Sequence, residues 1–416
     1  MKKVIVIGGG IVGLSSALYL KSSGFHVTVI DKNDFSDNCS YGNAGYVCPS
    51  HFVPLATPGI VQQGLKWMWN SRSPFYVEPR LSWSLFQWGW RFMRVATPEH
   101  VANSAVPLRD IALISQRAYE SWHKEIPLDM AYMHKGLLEL FQTDEKEAYA
   151  INLVKKSKAL GLDAQLLTKE EVLQLEPGIE MDVRGGVFFG CDAHLYPPKL
   201  MRNLLQHLKN IGVEFLPNAE VIGFKKEYNQ IRAVETTKGI IEADEVILAA
   251  GAWSGELSKQ LGLKLPMVGG RGYSITIEDY PHMMNYPAIL MESRVALTPM
   301  DGNKMRFGGT MEITRTNRPP RMKRVEGIIL GVQRFFPSFE IPMPKPEEVW
   351  YGFRPCSADG LPYIGRTAAC KNLVVATGHA MIGLSLGAGT GQLVAEIIQG
   401  EPSSMDISSF SPDRYA

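Results

Sequence analysis

The sequence predicts an α/β protein in which a parallel-sheet domain is interrupted twice by a second, α+β domain built on a mixed sheet. Three observations predict it. Residues 3 to 31 read as strand, glycine-rich turn, helix and strand; strand- and helix-type patterning then alternates in two separate blocks; and near the C-terminal end an apolar strand followed by a helix returns to the first pattern. Length agrees, because 416 residues exceed the usual size of one hydrophobic core.

Lys3 to Ile7 is β-rich, Ile11 to Leu20 carries apolar residues at helical spacing, and His26 to Ile30 is β-rich again. Tyr41 to Gly59, rich in Gly, Pro, Asn and Ser, reads as an ordered loop. Residues 60 to 125 read as helical with breaks at Pro98 and Pro107, and Leu137 to Gln142 and Gly186 to Gly190 as short strands. Pro198 to Ile211 is an amphipathic helix, Val213 to Leu216 a strand, and Ala219 to Gly239 a meander closed by an apolar strand, Ala243 to Ala250. A sheet-rich block spans Leu265 to Thr314, with a helix around Arg324 to Phe335; Trp350 to Pro355, a strand Leu373 to Ala376 and a helix from Gly387 to Ile398 follow. These assignments give residues 1–60, 193–262 and 346–416 to the first domain, and 61–192 and 263–345 to the second.

Composition is that of an ordinary globular enzyme, with 45% hydrophobic and 20% charged residues. Lys plus Arg total 43 against 42 Asp plus Glu, so no broad positive field awaits a polyanion and nucleic acid is not an expected partner. Five cysteines (Cys39, Cys48, Cys191, Cys356, Cys370) without a C-x-x-C pair or a His at ligand spacing read as reduced thiols of a cytoplasmic protein, and no metal is expected. Met1 to Leu20 imitates a secretory leader, but Gly8-Gly9-Gly10 interrupts it and it runs on to Asp31 without a small-residue cleavage site. The reading is a soluble or peripheral protein.

Gly8-Gly9-Gly10-Ile11-Val12-Gly13 satisfies G-x-G-x-x-G directly after a strand and before a helix. Gly8 permits the tight turn, Gly10 admits a pyrophosphate to the backbone, and Gly13 lets helix and strand pack closely. The N–H groups that open the helix, at Ile11 and Val12, add donors and a positive dipole end. Asp31, at the end of the second strand, can accept both ribose hydroxyls of an adenosine; Lys32 beside it and Val221 in the meander are assigned to the same site. The small residues Ala249-Ala250-Gly251-Ala252 before Trp253 let a dinucleotide lie close, with Ala250, Gly251 and Trp253 as contacts. No second G-x-G-x-x-G follows a strand, so nothing suggests a separate NAD(P)H domain, and electrons enter from the substrate.

The Gly8–Gly13 fingerprint, Ala249 to Trp253, and Gly352-Phe353-Arg354-Pro355 with Asp359-Gly360-Leu361-Pro362-Tyr363-Ile364-Gly365 together resemble the D-amino-acid oxidase and glycine oxidase superfamily. Ser40 to Gly45, Pro54 to Gly59 and Leu65-Lys66-Trp67-Met68 are most similar to its D-amino-acid dehydrogenase branch. The resemblance implies a Rossmann-like FAD domain interrupted by a mixed-sheet substrate domain. It also implies non-covalent FAD, oxidation of a D-amino acid to the imino acid by hydride transfer from the α-carbon to flavin N5, hydrolysis to an oxo acid and ammonia, and electrons passed to a respiratory acceptor such as a quinone. His51-Phe52-Val53 and Tyr41-Gly42 depart from that branch, which leaves the side chain open and brings in D-proline and hydroxy-D-proline. The rival readings are a glycine or sarcosine type oxidase using oxygen and a flavin-binding relay subunit without a substrate.

Arg354 matches the arginine with which the family grips the substrate carboxylate through paired, charge-assisted hydrogen bonds; the alternative is an interdomain ion pair. Tyr273 is a candidate to cover the reacting carbon or to hydrogen-bond the carboxylate, or a core residue. His51 is a candidate to face substrate or flavin, or a structural imidazole. Asn43, Ala44 and Gly45 are placed at the flavin or pyrophosphate, with turn formation as the alternative. Met381, Ile382, Gly383 and Leu384 precede the last helix, whose positive end suits the reduced ring. Glycines 383, 387, 389 and 391 read as sites of close backbone approach. Trp83, Phe86, Trp88, Trp90 and Phe92, beside Arg91 and Arg94, read as a buried helix or as a patch resting on the inner face of a membrane.

Overall fold

The β-rich segments Lys3–Ile7 and His26–Ile30 pair in parallel, with Ile5 opposite Thr28, and Glu245–Leu248 lies on the other side of Lys3–Ile7. Their buried faces are covered by the helix Ile11–Ser22, which crosses from the first strand to the second. This is the expected βαβ solution to burying a parallel sheet. The computed structural model of the chain describes residues 1–60, Gln62, Gly64, Trp67, 70–126 and 128–416. Leu65, Lys66 and Met68 of the branch-like segment lie outside them.

Among the described residues the first sheet has six strands, in the order Tyr363–Thr367, Cys370–Thr377, Glu245–Leu248, Lys3–Ile7, His26–Ile30 and Glu214–Leu216. All neighbours are parallel except the first pair. The meander Val221–Glu227, Gln230–Thr236 and Gly239–Glu242 forms a separate antiparallel sheet. A large mixed sheet runs from Trp350–Ser357 through Met267–Ile277, Lys304–Ile313, Val295–Met300, Ala288–Leu290 and Leu137–Phe141 to Gly185–Phe189 and Gln165–Thr168. The helix Met322–Phe335 buries Val325, Ile328, Val332 and Phe335 in the core on one face of that sheet.

Several elements differ from the sequence reading. Phe75–Val77, inside the block read as helical, is a strand on Met311–Ile313, a pairing no local pattern announces. Pro98 starts the helix Pro98–Glu125, capped by the Thr97 hydroxyl, and Pro107 sits inside that helix without ending it. A mid-helix proline costs about 3 kcal/mol; burial of Ala105, Leu108, Ile111 and Ala112 along the same helix offsets it. The last helix begins at Gly383, earlier than expected, and ends at Gln399. Its glycines serve helix packing more than a ligand: a Cβ at Gly391 would stand 2.5 Å from the Ser15 backbone carbon, and one at Gly389 would stand 2.9 Å from Ile111 O. Trp350–Ser357, within the segment 346–416, hydrogen-bonds into the large sheet. One helix, Ala380–Gln399, is apolar and long enough to cross a membrane; it is mostly buried between Ile11–Ser22 and Pro98–Glu125.

Candidate active site

Between the two sheets lies one cavity of about 1840 Å³, larger than the ~300–1,000 Å³ of an ordinary ligand pocket. Residues of both sheets and of their loops line it, among them Gly8, Gly10, Ile11, Val12, Asp31, Lys32, Asn43, Ala44, Val221, Ala250, Gly251 and Trp253. Gly8, at φ 114°, turns the chain where a Cβ would meet Ala249 O at 2.4 Å. Gly13 does not line the cavity: its missing Cβ would lie 1.9 Å from Gly8 O, so its role is to seat the helix on the turn. No side chain caps the helix at Gly10, although the Ile11 amide donates to Ser40 Oγ at 3.1 Å. The cradle therefore offers backbone donors and space where an anion with a large planar tail can lie, which fits the pyrophosphate of FAD.

Asp31 lines the cavity and accepts from the Gly9 amide at 2.7 Å and from the Asn33 amide at 2.8 Å. Lys32 Nζ sits 3.6 Å over the Trp253 ring, fixing that indole at the rim. Gly45 does not line the cavity; at φ 85° it turns the loop, and a Cβ there would strike Leu195 O at 2.2 Å. Asn43 Oδ1 accepts from the Gly45 amide and so shapes that turn. At the far end Met381, Ile382, Gly383 and Leu384 line the cavity where the helix Gly383–Gln399 starts without a side-chain cap. His379 beneath them is 2% exposed, bonds Thr390 Oγ1 at 2.9 Å, and is held neutral by burial, its pKa pushed down to about 3.

Arg354 projects into the cavity from Trp350–Ser357. One Nη1 hydrogen goes to the Thr310 carbonyl, and among the described residues no carboxylate lies within ion-pair distance. Thr310 sits at a β-bulge with φ 67°, in the left-handed region that β-branched residues avoid. The guanidinium lies over Gly272, where a Cβ would be 2.2 Å from Nη2. Burial without a partner pushes its pKa down, so an arriving carboxylate restores what desolvation cost.

Tyr273 lines the cavity too, yet its hydroxyl is spent: it donates to Glu312 Oε2 at 2.7 Å and accepts from the Arg321 amide at 3.0 Å. Glu312 also takes two bonds from the fully buried Arg271. Tyr273 thus braces the strand beside Arg354 and has no free hydroxyl for a carboxylate. His51 lines the cavity, stacks on Tyr46 at 6.5 Å, and is kept neutral by burial, which lowers its pKa to about 4. Its imidazole, the Cys48 thiol and the Asp192 carboxylate lie within 4.8 Å of one another; Cys48 and His51 stand three residues apart, a spacing the sequence reading passed over, while Asp192 is brought to them only by the fold. Burial raises Asp192 to about 6 while the Ser50 amide and hydroxyl hold it in place.

Sequence reasoning missed Gly272, Thr310 and Ser40. Ser40 stood in a quoted motif and could have been found; the others depend on which strands are neighbours.

Residues 3–397 match the family described as FAD dependent oxidoreductase, DAO. A D-amino acid dehydrogenase of Granulibacter bethesdensis is 30% identical, with both chains covered in full. One of Helicobacter pylori is 31% identical over 96% of this chain and 95% of its own. Glycine oxidase from Geobacillus kaustophilus superimposes with a TM-score of 0.78 at 22% identity, covering 100% of each chain. L-proline dehydrogenase from P. horikoshii gives 0.77 at 20%, covering 100% of this chain and 97% of its own.

Proposed function

The chain belongs to the FAD-dependent oxidoreductase (DAO) family, and from that premise we propose that it oxidises a small D-amino acid to the imino acid, with a respiratory acceptor receiving the electrons. The observation that carries this reading is Arg354: a half-buried guanidinium facing the cavity, seated on a glycine and, among the described residues, free of acidic partners. Its remaining donors suit a carboxylate. When bound, FAD supplies the two-electron acceptor for hydride from the α-carbon.

The chain's own residues then do the positioning. Arg354 fixes the acid end, and Tyr273, held by Glu312, keeps the neighbouring strand rigid. Trp88, Phe92 and Met311 wall the cavity with apolar surface and exclude water. The uncapped end of Gly383–Gln399 presents amide donors and a positive dipole where negative charge develops. His51, neutral above its lowered pKa, offers a hydrogen bond without adding charge.

The test is anaerobic. Purified yellow protein is mixed with D- and L-amino acids, D-proline, hydroxy-D-proline and N-methylglycine, and flavin bleaching is followed. Bleaching by D-amino acids supports the proposal, and Arg354→Ala should raise KM at least 100-fold with FAD retained. Bleaching only by L-amino acids or N-methylglycine refutes it, and peroxide formation in place of quinone-analogue reduction would indicate an oxidase.

We further propose peripheral contact with the inner face of a membrane. The helix Trp83–Val95 turns Trp88 and Phe92 inward, while Trp83, Phe86, Trp90 and Met93 are 71%, 63%, 46% and 54% exposed. Arg94 covers Trp90 at 4.7 Å. An aromatic face edged by arginine suits the interface between headgroups and acyl chains, and the same helix walls the cavity. Five free thiols support a cytoplasmic location.

A further inference from the structure

Where His51 lines the cavity, three kinds of donor atom converge from two segments of chain. Cys48-Pro49-Ser50-His51 is a C-x-x-H segment, and its turn is closed by the His51 amide, which donates to the Cys48 carbonyl at 3.2 Å. The turn follows the short strand Tyr46–Val47, whose antiparallel partner is Ala193–His194, with Val47 opposite Ala193. One residue beyond that pair the chain brings Asp192 to Cys48. Cys48 Sγ, a His51 ring nitrogen and an Asp192 oxygen therefore all lie within 4.8 Å of one another.

Each of the three is held in place by a neighbour. The buried Asp192 accepts from the Ser50 amide and the Cys191 thiol on Oδ1 and from the Ser50 hydroxyl on Oδ2, which leaves Oδ2 a free lone pair. The Cys48 amide donates to Ser385 Oγ at 2.9 Å, on the helix Gly383–Gln399. The Tyr46 ring lies nearly parallel to the imidazole, at 14°. Among the described residues the imidazole itself makes no hydrogen bond, so both its nitrogens are uncommitted. A thiolate, an imidazole and a carboxylate together are a donor set for a zinc-class divalent cation. Their two negative charges cancel the two positive ones, so the buried site would carry no net charge. Bonds of about 2.0–2.3 Å in a tetrahedron set donors about 3.3–3.8 Å apart, so the widest gap here closes by at most about 1.5 Å, within the reach of side-chain rotation. Cys48 and His51 line the cavity while Asp192 does not, so the open side of the group faces the cavity.

We propose that Cys48, His51 and Asp192 bind one zinc-class divalent cation, with a fourth coordination position that opens on the cavity and takes water. The cation replaces the Cys48 thiol proton, which leaves to solvent. Ligation through one ring nitrogen fixes the tautomer of His51 and leaves the other nitrogen as an N–H donor. It also ties the turn Cys48 to His51 to the segment that carries Asp192. Ser50 is the outer partner that aims the carboxylate. The site stands on these side chains alone and does not depend on which substrate the cavity takes.

The test uses the FAD-loaded chain, stripped of metal by a chelator and dialysed free of it. It is titrated with Zn²⁺ in equilibrium dialysis and, separately, with Co²⁺ under argon. Wild type should take up one Zn²⁺ per chain with a Kd at or below about 1 μM. Co²⁺ should give the visible bands of a tetrahedral site and a near-ultraviolet sulfur-to-cobalt band, read as the difference from the Zn²⁺-loaded protein so that flavin absorption cancels. Cys48→Ser and Asp192→Asn should each weaken uptake at least about 100-fold with flavin content retained. Cys370→Ser removes a buried thiol from the strand Cys370–Thr377 and should leave uptake unchanged. No stoichiometric uptake by wild type at about 10 μM Zn²⁺, a Co²⁺ spectrum without the sulfur band, or binding that survives both Cys48→Ser and Asp192→Asn would overturn the site. Both wild-type readings decide the matter even where a variant fails to fold.

Discussion

Replacing Gly272 by alanine separates the architecture of the carboxylate grip from the stability of the fold. The new Cβ would stand 2.2 Å from Nη2 and 2.3 Å from Cζ of Arg354. Heavy atoms settle at about 3.5 Å or beyond, so the guanidinium must retreat by roughly 1.3 Å. What must move is the far end of a flexible side chain, and the strand pairing of Gly272 with Gly352 need not change. The stability cost should therefore stay within about 1 kcal/mol. Catalysis should suffer more, because a displacement of about 1 Å can cost on the order of 100-fold in rate, or about 2.7 kcal/mol of transition-state stabilisation. The assay pairs anaerobic flavin reduction across substrate concentrations with thermal unfolding of the same preparation. The expected result is kcat/KM down about 100-fold, with flavin content retained and Tm within about 4 °C of wild type. A variant that keeps its flavin and its kcat/KM refutes the reasoning, since Arg354 then does its work from some other place.

Gly13→Ala makes the opposite case: its Cβ would press on Gly8 O at 1.9 Å, and backbone has no rotamer to retreat into. About 1–3 kcal/mol of overpacking cost and at least tenfold weaker FAD retention are expected, read by chemical unfolding and by flavin loss on dilution. His379, whose pKa falls from 6.5 to about 3 on burial, cannot take up a proton that the unfolded chain accepts, so stability drops as pH falls below 6.5. At pH 5 that is about 2 kcal/mol, and the stability gap between wild type and His379→Gln should narrow by that amount between pH 7 and pH 5; a constant gap in urea titrations would count against it. Trp83→Ser with Phe86→Ser should abolish co-sedimentation with anionic vesicles and leave turnover with a soluble acceptor unchanged, while undiminished sedimentation would remove the membrane proposal.

Much of the nucleotide half was legible because its chemistry is local. Gly8 to Gly13, the strand before them and Asp31 after them lie within one βαβ unit, so spacing alone carried the turn, the helix start and the acidic terminus. Local pattern failed where a distant partner decided the conformation. Phe75–Val77 became a strand because Met311–Ile313 offered an edge, and Pro107 stayed helical because its neighbours packed. Tyr273 was legible as a residue near the site but not as one whose hydroxyl was already bound, because its acceptor, Glu312, arrives on the adjacent strand.

By itself the order of residues determined the cofactor cradle and the alternation of the two sheets, since each follows from periodicity or from a motif read within a few turns of chain; Arg354 was found through the family resemblance of Gly352 to Pro355. Tertiary structure alone decided what that arginine rests on. Gly272, Thr310 and Arg354 come from three strands brought side by side by sheet register. Register is set by burial summed over a whole sheet, a long-range quantity that no short window of sequence contains.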